Sequence, residues 1–189
     1  VSFDKENVQL SPFMANRIAD WIDLDLNSLA DGAEDLNYLS LDLPYRAGNH
    51  PMVSPSELAA VAGLSLADVD ALKPYVATLP QAATATSATQ VNVNTAPKMV
   101  LMSLDQNITA QIAEDLVTFR AATPFEKTSD FKDELAHQQI TLDPKVVSSL
   151  SVSSDYFLIT SNASIGRTAL DMYSLLQRTS TGVVVISRS

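Results

Sequence analysis

The sequence predicts an α+β fold, with a large helical body up to about Leu150 and a small antiparallel sheet after it. Three observations carry this expectation. Helix-start signatures recur before apolar stripes through the first three quarters of the chain. Beyond Leu150 the composition shifts to runs rich in β-branched and aromatic residues. Turn-forming clusters, Ser161-Asn162-Ala163-Ser164 and Thr179-Ser180-Thr181-Gly182, separate those runs. Helices first and strands last is an α+β order. The corresponding division is a helical domain over residues 1–150 and C-terminal strands over 151–189.

Ser11 followed by Pro12 reads as a cap with proline at the first helical position. Phe13, Ile18, Trp21 and Ile22 follow with roughly helical spacing and read as core. An acidic loop runs from Asp23 to about Asp35, and Pro44, Gly48 and Pro51 keep the segment after Tyr38 irregular. Ser54-Pro55-Ser56-Glu57 is a capping box for a helix carrying Leu58, Val61 and Ala62, closed by Gly63. Leu66 to Tyr75 repeats the pattern with Val69, Leu72 and Val76 on one face. Thr78 to Thr89 is an Ala/Thr/Ser/Gln-rich loop without periodicity. Val91 to Pro97 is extended and leads into a helix start that Asn94 or Thr95 can cap. Thr109 caps a longer helix reaching Arg120, and Ser129 to Leu135 forms a short one. Strands are expected over Val152–Thr160, Arg167–Leu176 and Val183–Arg188. Tyr156, Leu158 and Thr160 alternate with Phe157 and Ile159, so one set should face inward.

The 189 residues are 46% hydrophobic and carry a formal charge of -10. A strongly acidic surface repels phosphate backbones and anionic lipid head groups and attracts hard cations. The absence of cysteine excludes a disulfide framework and a thiolate metal site. No segment approaches the ~20 apolar residues that span a bilayer, and Val-Ser-Phe-Asp-Lys-Glu at the start is not a signal peptide. No enzyme signature emerges. His50 and His137 lack metal-ligand spacing, the glycines are scattered, and no serine stands in a nucleophile elbow.

The loop after the first helix has the chemistry of a cation site. Asp23-Leu24-Asp25-Leu26-Asn27 places oxygens on alternate residues, and Glu34 falls where the closing glutamate of a roughly twelve-residue calcium loop would fall. Ser28 stands where an EF-hand needs its sharp-turn glycine, so the loop is not an EF-hand. Asp35 and Asn49 are close enough in sequence to add oxygens. Asp23, Asp25, Asn27, Glu34, Asp35 and Asn49 are therefore the candidate calcium ligands. The other reading is a solvated acidic loop without metal. Only Arg46 lies nearby as a countercharge, and a bound cation removes the repulsion among the carboxylates.

The ordered run Asp20-Trp21-Ile22-Asp23-Leu24-Asp25, Gly32-Ala33-Glu34-Asp35, Tyr38 and Pro44-Tyr45-Arg46-Ala47-Gly48-Asn49 resembles general secretion pathway protein K. Ser56-Glu57-Leu58, Val61-Ala62-Gly63, Leu72-Lys73-Pro74-Tyr75-Val76, Leu79-Pro80, Val91 to Ala96, Ser154-Asp155-Tyr156-Phe157 and the last strand to Arg188 extend the resemblance over nearly the whole chain. It implies a pilin-like sheet carrying a large inserted helical domain that binds structural calcium. It further implies a minor pseudopilin at the tip of the type II secretion pseudopilus, beside the I- and J-type minor pseudopilins, with the secreted proteins as a further class of partner. The expected location is the periplasmic face of the bacterial inner membrane, and the expected role is structural, not enzymatic. In the family a hydrophobic helix and the first strands come earlier than the residues present here, so a truncated or processed chain is expected, with no membrane contact except through that helix.

A nucleic-acid-binding helix-hairpin-helix module is the alternative. Val91 to Ala96, followed by Leu104, Ala113, Leu116, Arg120 and Pro124-Phe125, resembles that motif. Its hairpin normally presents glycine-rich amides to phosphate. Here the turn is Leu104-Asp105-Gln106-Asn107-Ile108, with an acid and no glycine, and the net charge also opposes phosphate. The segment reads as a helical packing unit without that ligand.

Overall fold

Helix α1 spans Met14–Ile22 and buries Asp20 and Trp21. The structure, a computed structural model, describes residues 13–80 and 89–188 together with the backbone of 2–3 and 8–9. The expected Ser11–Pro12 cap and most of the loop after Thr78 lie outside the described residues. The short strands β1 (Ser2–Phe3) and β2 (Val8–Gln9) pair antiparallel ahead of α1. The fold is α+β, with helices first and a three-stranded antiparallel sheet last. It forms two compact units, Val1–Ser87 and Ala88–Ser189, and the change of composition near Leu150 falls inside the second.

In the first unit, α2 (Asp35–Leu39) begins where the sequence reads as loop. Its start is fixed by Asn37, whose Oδ1 accepts from the Glu34 N–H at 3.1 Å. The segment Pro55–Ala60 is a 3₁₀ helix instead of the α-helix expected up to Gly63. Its capping box does form: Glu57 Oε1 accepts from the backbone N–H groups of Val53 and Ser54, and Ser54 Oγ accepts from that of Ser56. The helix stops early because Val61 turns to an extended backbone and drives its side chain into the core at 2% exposure. Helix α3 (Leu66–Leu72) carries a Ser65–Asp68 capping box and continues into a 3₁₀ turn at Lys73–Tyr75, where Pro74 has no N–H to offer an α-turn. The core gathers Trp21, Tyr38, Leu58, Val61, Val69 and Leu72. Trp21 and Tyr38 meet edge to face at 5.2 Å, and Tyr45 tilts against Tyr38 at 5.2 Å.

The second unit opens with β3 (Val91–Asn92), which pairs parallel with β4 (Leu150–Ser151). Between them lie α4 (Lys98–Met102), α5 (Ala110–Ala122), α6 (Thr128–His137) and α7 (Pro144–Ser148). Neither Asn94 nor Thr95 caps α4, whose N-cap position falls to Pro97, without a side-chain cap bond. Asn94 instead clamps distant chain. Its Oδ1 accepts from Phe125 N–H at 2.9 Å, and its Nδ2 donates to Phe125 O at 2.9 Å and Val152 O at 3.1 Å. Arg120 donates to the carbonyls of Val93 and Ala96. These bonds hold β3 and the chain leading to α4 over a core of Leu101, Leu116, Phe125, Phe131 and Leu135. The cap at Thr109 is present, with Thr109 Oγ1 accepting from Ile112 N–H at 3.3 Å. Thr109→Ala should cost about 1 kcal/mol in denaturant unfolding. An unchanged midpoint would show that this bond contributes nothing.

The chain ends in β5 (Tyr156–Ile165), β6 (Thr168–Thr179) and β7 (Gly182–Arg188), ordered β5-β6-β7 and antiparallel. Ser161 to Ser164, expected as a turn, instead extends β5, and the chain reverses at Gly166–Arg167 with Gly166 at φ 63°. Glycine permits that left-handed backbone in a two-residue loop. Phe157, Leu158 and Ile159 are all exposed, so the alternation does not turn one set inward. Within the described residues, most of both faces of this sheet is left uncovered.

Candidate metal centre

Three carboxylates converge at the end of α1. Oxygens of Asp20, Asp23 and Glu34 lie within 4.8 Å of one another. The helix explains the first two, because positions three apart share a helical face. Asp20 is fully buried, and its carboxylate pins the following loop. It accepts from Ala33 N–H at 2.8 Å, from Leu29 N–H at 3.2 Å and from Ser28 Oγ–H at 3.2 Å. Gly32 is required for this wrap, since a Cβ there would fall 1.9 Å from Asp20 Oδ2. Asp23 is the C-cap of α1, with its N–H bonded to Ala19 O at 2.9 Å. Glu34 comes from the far end of the loop, just before α2.

Two of the three converging carboxylates, and one amide oxygen held beside Trp21, lack partners in the protein. Asp23 Oδ1, both carboxylate oxygens of Glu34 and Asn49 Oδ1 are buried and make no hydrogen bond. Asn49 is held by its N–H on the Trp21 carbonyl at 2.9 Å and has φ 47°, a backbone that asparagine tolerates better than most residues. Burial pushes the Glu34 carboxyl above its ordinary value, and repulsion from Asp20, Asp23, Asp25 and Asp35 pushes it further. Buried oxygens without donors are costly unless something positive meets them. The donors are carboxylate and amide oxygens only, a set that suits a hard divalent cation of calcium type and not a soft one.

The six residues expected from the sequence separate in space. Asp23 and Glu34 are in the cluster, and Asn49 supplies a buried oxygen fixed beside Trp21. Asp25 is exposed, and its Oδ1 accepts from Asn27 N–H at 2.7 Å, although it stands close enough to raise the Glu34 pKa. Asn27 is exposed as well. Asp35 is already engaged by the Arg46 guanidinium and by Ala47 N–H at 3.0 Å. Arg46 is thus spent on Asp35, and Arg17 donates to the carbonyls of Asp31 and Ala62, so neither arginine is ion-paired with a carboxylate of the cluster. The sequence does not single out Asp20, because a charged residue in an amphipathic helix reads as solvent-facing. Its spacing of three from Asp23 was the available signal.

The proteins that this chain resembles point in one direction. Family profiles described as "Type II secretion system (T2SS), protein K" match residues 5–81 and 91–153. The chain belongs to the type II secretion system protein K family. A protein K of Klebsiella pneumoniae is 31% identical over 97% of this chain and 57% of its own length. A protein K of Pseudomonas aeruginosa is 35% identical over 90% of this chain and 48% of its own. The chain therefore spans about half the length of these protein K relatives. A chain of the solved GspK-GspI-GspJ complex from the enterotoxigenic Escherichia coli type 2 secretion system superposes with a TM-score of 0.73 at 25% identity, covering 94% of this chain and 62% of that one. The gap between the two profiles, residues 82–90, coincides with the junction of the two compact units. The residues of the expected acidic turn between α4 and α5 bond among themselves, with Asp105 Oδ1 accepting from Asn107 N–H at 2.8 Å. The matches give no support to a nucleic-acid role.

Proposed function

We propose that this protein K chain works as a minor pseudopilin at the tip of the type II secretion pseudopilus, by presenting surfaces to partner subunits and not by catalysis. The observation that carries the reading is the likeness over 94% of the chain to a chain solved in complex with GspI and GspJ. The partners proposed are the I- and J-type minor pseudopilins. The place proposed is the periplasmic face of the inner membrane, and no helix among the described residues is long and apolar enough to cross a membrane.

The same reading includes a structural calcium ion held by Asp23, Glu34 and Asn49, with Asp20 beside them and Asp25 and Asp35 adding negative charge. Its support is the set of buried, unpartnered oxygens described above. The ion would tie the end of α1 to the start of α2 and to the chain at Asn49, so that its binding adds to folding free energy.

The test is direct. Mixed with soluble I- and J-type domains, the chain should give a complex whose mass by light scattering is the sum of its parts. Failure to form any complex, even with the family's first strands supplied ahead of this sequence, overturns the tip reading.

A further inference from the structure

Between residues 23 and 43 the chain has six carboxylates, seven leucines and no lysine or arginine. All seven leucines are exposed, and Leu24, Leu36 and Leu43 are each 83% exposed. Isolated exposed leucines need no explanation, whereas a concentration of them marks an interaction surface. The leucines fall in two stretches that begin at the candidate metal centre. Leu24 follows Asp23 directly, and Leu36 is two residues past Glu34. Because Asp23 and Glu34 oxygens lie within 4.8 Å, both stretches start from one place in space. Leu36 and Leu39 then share a face of α2, three positions apart.

We propose that this acidic, leucine-bearing surface of the first unit is a docking site for a basic amphipathic segment of a partner protein. Charge selects the occupant. A divalent cation together with Arg46 would still leave the segment negative, so anionic membranes are repelled and lysine- or arginine-rich protein is attracted. The leucines supply the desolvated contact, which a helix with apolar residues at i, i+3, i+4 and i+7 matches. The cation enters because it would join the two leucine stretches; that part rests on the proposed calcium site.

The probe is a fluorescent synthetic helical peptide of leucine and lysine with one apolar face, followed by anisotropy in calcium. The triple variant Leu24→Ser/Leu36→Ser/Leu43→Ser keeps every carboxylate and alters only exposed side chains. It should bind the peptide at least tenfold more weakly than wild type, and a leucine–glutamate peptide with the same apolar face should not bind wild type. Equal affinity of wild type and triple variant overturns the proposal, because charge alone would then explain binding. So does absence of peptide binding, or flotation of the protein with zwitterionic phosphatidylcholine vesicles or self-association in its place. Calorimetric calcium titration of both proteins separates the two readings. Leucine-dependent peptide binding with silent calcium titration keeps the docking surface and removes the cation site. Normal calcium binding with leucine-independent peptide binding does the reverse.

Discussion

Asp23→Ala should lower the melting temperature in calcium and change it little in chelator. With free calcium at one hundred times its dissociation constant, binding to the folded state alone adds about 2.7 kcal/mol. For a chain of this size that corresponds to roughly 5–10 °C of melting temperature. In chelator, Asp23 is one of the carboxylates that raise the Glu34 pKa, so its removal relieves repulsion as well as losing a side chain. Equal destabilisation in both conditions would sink the cation reading. The pH dependence adds a second check. Glu34 has an ordinary pKa of 4.5, and burial followed by Asp20 and its other acidic neighbours raises it in the folded state. The metal-free fold therefore holds this proton more tightly than the unfolded chain does. That contribution to stability is complete below 4.5 and is lost as pH rises through the folded value. Calcium, which needs the ionised form, should offset this loss toward neutral pH. Glu34→Gln should abolish both the metal-free slope and the calcium response, as read by thermal unfolding across pH.

Asn94→Ala should destabilise the second unit by about 2–3 kcal/mol. Its amide serves Phe125 N–H, Phe125 O and Val152 O, and truncation strands backbone groups that each cost about 1–3 kcal/mol when buried and unpaired. The loss should exceed that of Thr109→Ala, because a helix-end N–H near solvent finds water while the Phe125 amide, next to a buried ring, does not. Asn94→Asp keeps the acceptor for Phe125 N–H and loses both donors, so it should fall between wild type and alanine. A loss for Asn94→Ala no larger than for Thr109→Ala would show that the clamp is replaceable by solvent.

These two sites show what the sequence made legible. The order of helices and strands could be read because caps and periodicity are local. Ser54 with Glu57, Ser65 with Asp68 and Thr109 with Ile112 act within four residues. Asn94 looked like a cap for the same reason, yet its bonds reach Phe125 and Val152, and no local rule announces partners that distant. In the metal centre, Asp23 and Glu34 could be named from the composition of one loop. Asp20 could not, because its role depends on the loop folding back onto the helix with Gly32 against its carboxylate. Asp35 qualifies by its oxygens and its nearness in sequence. Only the fold shows that Arg46 reaches it first. The sheet was legible as strands but not in its first turn, since Ser161 to Ser164 have turn chemistry while Gly166 alone supplies the left-handed backbone.

The parallel pairing of Val91–Asn92 with Leu150–Ser151 brings the entrance and the exit of the helical stretch α4–α7 side by side. Neighbouring strands are about 4.8 Å apart, so the two ends of the stretch lie within one strand spacing of each other. The stretch can change length between these ends while the strands that follow keep their pairing, as long as Asn94 keeps its bond to the Val152 carbonyl past the exit. Chimeras spliced at Asn92 and Leu150 therefore join adjacent ends without a new linker.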